Sequence, residues 1–225
     1  MHSIQRLLQS VVFVASLTAP WLSMAHPHMW IDARVKMHLD DQGRLSAVTQ
    51  SWTFDDLFSS YAIQGLKLDA KRQPLQKDLD SIAANWIEAL GDPMSHYFTK
   101  IEQNEQLLKT GQARNVQAVW DPKISRLTLV FELPLATPVA VNSLPVSVRV
   151  ADPTFFVAYE FDPQDVARNA TVVPTCTARY VAPRELDPET ANRLASIPAD
   201  QPEPPPELLA ITRTLEHRID LTCAS

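Results

Sequence analysis

The chain has 225 residues, 45% of them hydrophobic, and a formal net charge of −6 at pH 7. This acidic balance, with no cluster of Lys and Arg to follow a phosphate backbone, argues against nucleic acid as a partner. Only four glycines are present, which excludes a glycine-rich catalytic or phosphate-binding loop.

The first 25 residues have the pattern of an export signal. Arg6 precedes an apolar stretch from Leu7 to Leu22, and Ser23-Met24-Ala25 follows with small residues where a signal peptidase acts. We therefore expect a signal peptide over residues 1–25, a periplasmic location and a mature chain that begins at His26. A membrane anchor is the alternative, but polar residues and Pro20 interrupt the stretch, which barely reaches the roughly 20 apolar residues of a span. No later segment could cross a bilayer, so we do not expect an integral membrane protein.

The first predicted element of the mature chain is a hairpin. Apolar and mostly polar residues alternate from Met29 to Leu39, as in a half-buried strand, and residues 40–44 supply turn chemistry before a returning strand from Leu45 to Phe54. If Leu39 lies opposite Leu45 and the register is unbroken, His28 lies opposite Asp56.

Two helices are predicted after the hairpin. Asp55 is a plausible N-cap for a short first helix, with Gly65 placed for a left-handed residue after it. A second helix is expected from about Leu75 to Leu90, where Gly91-Asp92-Pro93 stops it. From there to Val181 the chain shows alternating strand patterns separated by short turns, which favours antiparallel pairing.

The C-terminal part is predicted to contain a short helix capped by Asp187, a stiff linker at residues 202–206, a further helix and a final strand.

Cys176 and Cys223 are the two cysteines, and in an oxidising compartment they most simply form a disulfide bond, since they lack the spacing of a thiolate metal site. We therefore expect one α+β domain of mainly antiparallel sheet: a body at residues 26–182 and a C-terminal appendage at 183–225, tied back by the disulfide.

Cleavage after Ala25 would give His26 a free α-amine beside its imidazole ring. An α-amine has a pKa of about 8 and can lose its proton to a metal near neutral pH. The amine and ring of His26 could chelate one ion, and His28 could supply a third nitrogen. Such donors suit Zn, Ni, Co or Cu. Pro27 has no amide hydrogen, which excludes the usual square-planar chelate through deprotonated backbone amides.

Further ligands would come from elsewhere in the fold. Asp56 is the carboxylate that the hairpin register brings nearest to the terminus, Asp32 shares a strand face with His28, and His96 is a possible third imidazole. Asp55 lies beside Asp56, but helix capping is its simpler role. The alternative for the whole terminus is a frayed, solvated end that contains two histidines.

Four segments of the sequence together resemble one family, DUF1007. They are residues 26–33 (HPHMWIDA), 52–59 (WTFDDLFS), 97–99 (YFT) and 152–156 (DPTFF), and the resemblance covers nearly the whole mature chain. It implies a periplasmic component of an uncharacterised transport system, associated with nickel/cobalt-type or zinc transporters. By resemblance, the expected partner is an inner-membrane metal transporter.

We therefore expect a periplasmic accessory protein that binds a divalent transition metal through His26-Pro27-His28. A docking subunit without a metal role and, less favoured, a copper enzyme are the alternatives; no catalytic motif supports an enzyme.

Some relatives have a calcium-loop-like stretch between the first two helices. Here Lys71, Pro74 and Asp80 stand at its third, sixth and twelfth positions, so we expect no calcium site.

Overall fold

The computed structural model describes residues 28–93, 95–142, 144–153, 156–171, 173–196, 211 and 213–224. The predicted signal peptide, His26, Pro27 and the predicted linker at residues 202–206 lie outside these ranges. Among the described residues, no helix is both long and apolar enough to cross a membrane.

In the ranges that the structure describes, ten strands form two five-stranded sheets, so the expected α+β fold of mainly antiparallel sheet is confirmed. The first sheet has the order β5-β6-β2-β1-β8, and the second has the order β4-β3-β7-β10-β9. The strands are β1 (Met29–Leu39), β2 (Arg44–Phe54), β3 (Thr99–Gln103), β4 (Gln106–Leu107), β5 (Arg114–Asp121), β6 (Arg126–Ala140), β7 (Val146–Val150), β8 (Val157–Glu160), β9 (Cys176–Val181) and β10 (His217–Cys223).

Four α-helices accompany the sheets in the described part of the chain. They are α1 (Asp56–Ala62), α2 (Gln76–Leu90), α3 (Pro163–Asn169) and α4 (Pro188–Ala195), with 3₁₀ turns at His96–Phe98 and Arg213–Leu215. The expected helices at α1, α2 and α4 are present. Helix α3 was not predicted, although it begins as α4 does, with an Asp N-cap followed by Pro.

The first hairpin is confirmed, but its register is not the unbroken one. Leu39 does pair with Leu45, yet His38 pairs with Ala47, so Ser46 is an extra residue that forms a β-bulge. Beyond the bulge, Asp32 pairs with Thr53. The expected placement of His28 opposite Asp56 is therefore wrong by one position. The bulge is needed because without it Trp52, which is buried, would move to the outer face of the sheet.

Apolar side chains from both sheets form one hydrophobic core. The alternating residues of β6 and β7 are completely buried: Leu127, Leu129, Phe131, Leu133, Val146, Val148 and Val150. Hydrogen bonds also join the two sheets, and the buried one among them runs from the Gln50 side-chain amide to Thr99 Oγ1 at 3.0 Å. Both residues are buried, so this bond satisfies polar groups that would otherwise destabilise the core.

One strand pair departs from the expected antiparallel pattern. β8 runs parallel to β1, with Met29 opposite Val157 and Asp32 opposite Glu160. A parallel neighbour must come from a distant crossover, and here the chain returns from β7 in the second sheet to the edge of the first. The first residues of β1 are therefore held between β2 and β8.

The predicted disulfide joins Cys176 and Cys223, which lie opposite each other on β9 and β10. β10 also pairs with β7 on its other side, with Ile219 opposite Val148. The last strand of the chain is thus an interior strand of the second sheet, and the disulfide connects it to the edge strand β9.

Candidate functional site

His28 lies at the surface, immediately before β1. Its backbone N–H donates to the carbonyl oxygen of Phe156 at 2.9 Å, and its ring lies 5.0 Å from the Phe156 ring, centroid to centroid. The imidazole is exposed. The residue that precedes β8 therefore fixes the backbone of His28 at a position that solvent reaches.

Trp30 and Asp32 follow His28 on the outer face of β1, since alternate residues of a strand point the same way. The N–H of Trp30 donates to Asp55 Oδ2 at 2.8 Å, and the N–H of Asp55 donates to the Trp30 carbonyl at 2.9 Å. Asp55, rather than Asp56, is thus the residue that lies beside this part of β1.

Asp55 also has the capping role expected for it. Its Oδ1 accepts a hydrogen bond from the Phe58 N–H at 2.8 Å, which satisfies a free donor in the first turn of α1. The same carboxylate thus bonds to α1 through one oxygen and to Trp30 of β1 through the other. Both carboxylate oxygens of Asp55 thus accept hydrogen bonds that hold the backbone.

Arg126 brings the two predicted carboxylate ligands, Asp32 and Asp56, to one place. Its Nη1 lies 2.5 Å from Asp32 Oδ2, and its Nε lies 3.6 Å from Asp56 Oδ1. The guanidinium also donates to the carbonyl oxygens of Thr53 and Phe54 at the end of β2. A cationic group of this chain therefore already lies between the two carboxylates.

This arrangement constrains any metal at Asp32 or Asp56. A divalent ion and a guanidinium would compete for the same oxygens, because both are cations and each needs the carboxylate lone pairs. The side chain of Asp56 is 86% exposed, so it could turn to solvent or to a ligand more easily than Asp32. Ligation through Asp32 Oδ2 would require the displacement of Arg126.

His96 is exposed and lies in a left-handed turn between α2 and β3. His96, Tyr97 and Phe98 have φ values of 45°, 54° and 46°, a conformation that costs roughly 1–2 kcal/mol per residue without glycine. The hydroxyl of Tyr97 holds the turn by accepting from the N–H of Ala113 at 3.2 Å.

His96 and His28 approach the first sheet from opposite edges. Ala113 immediately precedes β5, whereas His28 is bound to the residue before β8, and β5 and β8 are the two edges of that sheet. Among the residues that the structure describes, no three His, Cys, Asp or Glu side chains form a group that could hold a metal ion. The predicted centre therefore depends on His26, which lies outside them.

Two histidines that were not predicted as ligands have perturbed environments. Burial lowers the pKa of His217 to about 4, and its Nδ1 lies 2.8 Å from the Tyr180 hydroxyl. Burial also lowers the pKa of His38, whose Nε2 lies 2.8 Å from Thr49 Oγ1. His38 is partly buried on the hairpin.

The sequence did not indicate the importance of Arg126 and Phe156 for this region. Arg126 lies 94 residues from Asp32, and no local pattern connects them. Phe156 belongs to the 152–156 segment that carried part of the family resemblance. That segment was the one available signal, but it did not say which residue it would contact.

Comparison with known proteins matches residues 11–223 to the family described as "Protein of unknown function (DUF1007)". An uncharacterized protein of Haemophilus influenzae is 25% identical over 166 residues, which cover 71% of this chain and 74% of the relative. Among solved structures, the acetylcholine-binding protein AChBP of Bulinus truncatus has 11% identity and a TM-score of 0.39, with 90% of this chain and 89% of that chain covered. That TM-score is too low to support a statement on fold or function. The match over nearly the whole sequence shows that this chain belongs to the DUF1007 family.

Proposed function

We propose that this protein is a periplasmic accessory of a metal-transport system and binds a divalent transition metal through His26-Pro27-His28 at the start of its mature chain. The observation that carries the proposal is the position of His28. Its imidazole is exposed, and its backbone N–H is bound to Phe156. A ligand with a fixed backbone loses less conformational entropy on binding than one in a free tail.

The donor chemistry supports nitrogen-preferring ions. The α-amine and ring of His26 with the ring of His28 would suit zinc, nickel, cobalt or copper. Asp32, Asp56 and His96 remain candidate additional ligands. Asp32 would have to exchange Arg126 for the metal at Oδ2, Asp56 could turn away from Arg126, and His96 approaches from the opposite edge of the sheet.

A docking subunit without a metal role is the second candidate, and one observation favours it. Leu57 and Tyr61 lie one turn apart on α1, and their side chains are 80% and 69% exposed. Trp30, whose backbone is bonded to the cap of this helix, is 46% exposed. Exposed large apolar residues on one side of a helix are typical of contact surfaces.

The test is a titration of the exported protein with Zn(II), Ni(II) and Co(II) under chelator competition. We expect one equivalent to bind to wild type and binding to be lost in the His26→Ala/His28→Ala variant. Arg34→Ala/Lys36→Ala, on exposed positions of the same strand, is the control and should bind as wild type. Equal affinity in the histidine variant would remove the metal proposal. Co-purification with a membrane permease, unchanged by the histidine substitutions, would then favour docking.

A further inference from the structure

The peptide group between Phe156 and Val157 connects the terminus to a buried carboxylate. Its carbonyl oxygen accepts from the N–H of His28 at 2.9 Å, and its N–H donates to Asp152 Oδ2 at 3.0 Å. The carbonyl and N–H of a trans peptide point in opposite directions. Asp152 and His28 therefore lie on the two sides of one peptide group, at the start of β8.

Asp152 is in an unusual environment for an acid. It is 5% exposed and is one of four buried polar or charged residues in the described part of the chain, with Gln50, Ser59 and Thr99. Burial of a carboxylate costs free energy unless its oxygens accept hydrogen bonds. The bond from Val157 satisfies one of these oxygens, and a hydrogen bond to a carboxylate is stronger than a bond between neutral groups.

A charge-assisted bond on one side of a peptide group strengthens the bond on the other side. The carboxylate polarises the Phe156–Val157 peptide and makes its carbonyl oxygen a better acceptor for His28. The Asp152 side chain also fixes the backbone that carries the Phe156 ring, against which the His28 ring lies. Backbone and ring of His28 are thus both positioned through the segment that Asp152 holds.

We propose that Asp152 is a positioning residue of the N-terminal metal site, acting on His28 through the Phe156–Val157 peptide group. The inference rests on the proposed function, since it assigns a supporting role within the same site. The role resembles that of the outer-shell partners that orient metal-binding histidines, whose loss typically weakens metal affinity 10–100-fold.

Two substitutions separate the hydrogen bond from the charge. Asp152→Asn keeps an oxygen that can accept from Val157 but removes the charge, whereas Asp152→Ala removes both. We expect Zn(II) affinity to fall several-fold in Asp152→Asn and roughly ten-fold or more in Asp152→Ala. The visible spectrum of the Co(II) complex should shift in both variants, because the geometry at His28 changes.

A matched control comes from the other end of β1. Asp40 also accepts backbone hydrogen bonds through its carboxylate, from Gln42 and Arg44 in the hairpin turn. Asp40→Ala therefore removes the same kind of contact far from His28. It should leave Zn(II) affinity and the Co(II) spectrum as in wild type, even where the free energy of unfolding falls.

A second readout does not depend on metal. Hydrogen exchange of the His28 amide in the metal-free protein should accelerate in the order wild type, Asp152→Asn, Asp152→Ala. A folded variant at position 152 with wild-type exchange at His28 and wild-type Zn(II) affinity overturns the inference, and Asp152→Asn serves if Asp152→Ala does not fold. If exchange accelerates but wild type binds no metal, the proposed function fails while the contact between Asp152 and His28 stands.

Discussion

Arg126 joins three parts of the first sheet's end. Its guanidinium contacts Asp32 on the outer face of β1, the last carbonyl oxygens of β2 and Asp56 in the first turn of α1. A single side chain thus contacts two carboxylates and donates to two backbone acceptors. Arg126 lies between the two predicted carboxylate ligands. Its substitution therefore tests whether Asp32 and Asp56 take part in metal binding.

We expect Arg126→Gln to lower the free energy of unfolding by about 1–2 kcal/mol, because the substitution weakens contacts with partly exposed partners. The same change should raise Zn(II) affinity several-fold if Asp32 and Asp56 are ligands, since the competing cation is gone. Urea denaturation and a chelator-competition titration measure the two effects. Arg114→Gln, which breaks a comparable pair with Glu132, is the control for stability alone. Unchanged Zn(II) affinity in Arg126→Gln would exclude Asp32 as a ligand through its Oδ2.

The buried ring of His217 should make the free energy of unfolding depend on pH. The ring lies against Phe161 and Tyr180, with centroids 5.2 Å and 6.0 Å away, and burial lowers its pKa to about 4 from 6.5. Between these values the unfolded chain binds a proton that the folded chain does not. The free energy of unfolding should therefore fall as the pH drops from 6.5 towards 4, by on the order of 2 kcal/mol after allowance for partial exposure.

The measurement is urea denaturation of wild type and His217→Phe at intervals from pH 7 to pH 4. The difference between the two proteins isolates this residue, because His38 and the carboxyl groups titrate in both. The wild-type curve should lose more stability than that of the variant over this interval. Parallel curves would show that His217 titrates normally in the folded protein.

The short strand β8 holds the start of β1 in place. It has four residues, and its parallel pairing with β1 begins where the described chain begins. Parallel strands need a long connection, so this contact arises from a chain segment about 130 residues away in sequence. The first residues of β1 are thus stabilised by long-range structure rather than by the hairpin alone.

The disulfide between Cys176 and Cys223 should stabilise the folded chain. It closes a segment with a sequence separation of 47 residues, which in the chain-entropy model stabilises the fold by about 4 kcal/mol. The Cys176→Ala/Cys223→Ala variant should lose up to that amount yet keep its sheets, because β10 also pairs with β7. Urea denaturation with far-UV circular dichroism checks both points. A stability equal to that of oxidised wild type would contradict the expected role.

Regular elements were predictable where a local pattern is strong. The alternation from Met29 to Leu39 predicted β1 with its observed bounds, and Asp55 predicted the start of α1. The bulge at Ser46 was not predicted, because alternation alone does not show where one extra residue enters. Helix α3 was missed although Asp162-Pro163 has the same start signal as Asp187-Pro188.

The surroundings of the site were less predictable, because they depend on contacts between distant segments. The sequence indicated that Asp32 is on the face of His28, but not that Arg126 binds it. It placed His96 just after the end of α2, but it did not show that this turn lies beside the opposite edge of the sheet. Pairing of β8 with β1 and of β10 with β7 is decided by the whole core, which no local pattern contains.

At the scale of the whole molecule, two sheets around one core present the start of β1 and the start of β8 together at the surface. The metal and docking proposals use neighbouring parts of this surface: His28 for the first, and Leu57, Tyr61 and Trp30 for the second. The docking surface is also compatible with a metal role, since an accessory protein that transfers a metal must contact its partner.

We expect export to create the ligand set by exposing the α-amine of His26. Native mass spectrometry of the protein purified from the periplasm, without added metal or chelator, tests this in one measurement. We predict the mass of residues 26–225 with the disulfide formed, plus one divalent transition-metal ion. A chain that begins at any other residue would contradict the claim, because the amine ligand would then be absent. A chain that begins at His26 but carries no metal, and gains none on titration, would contradict it equally.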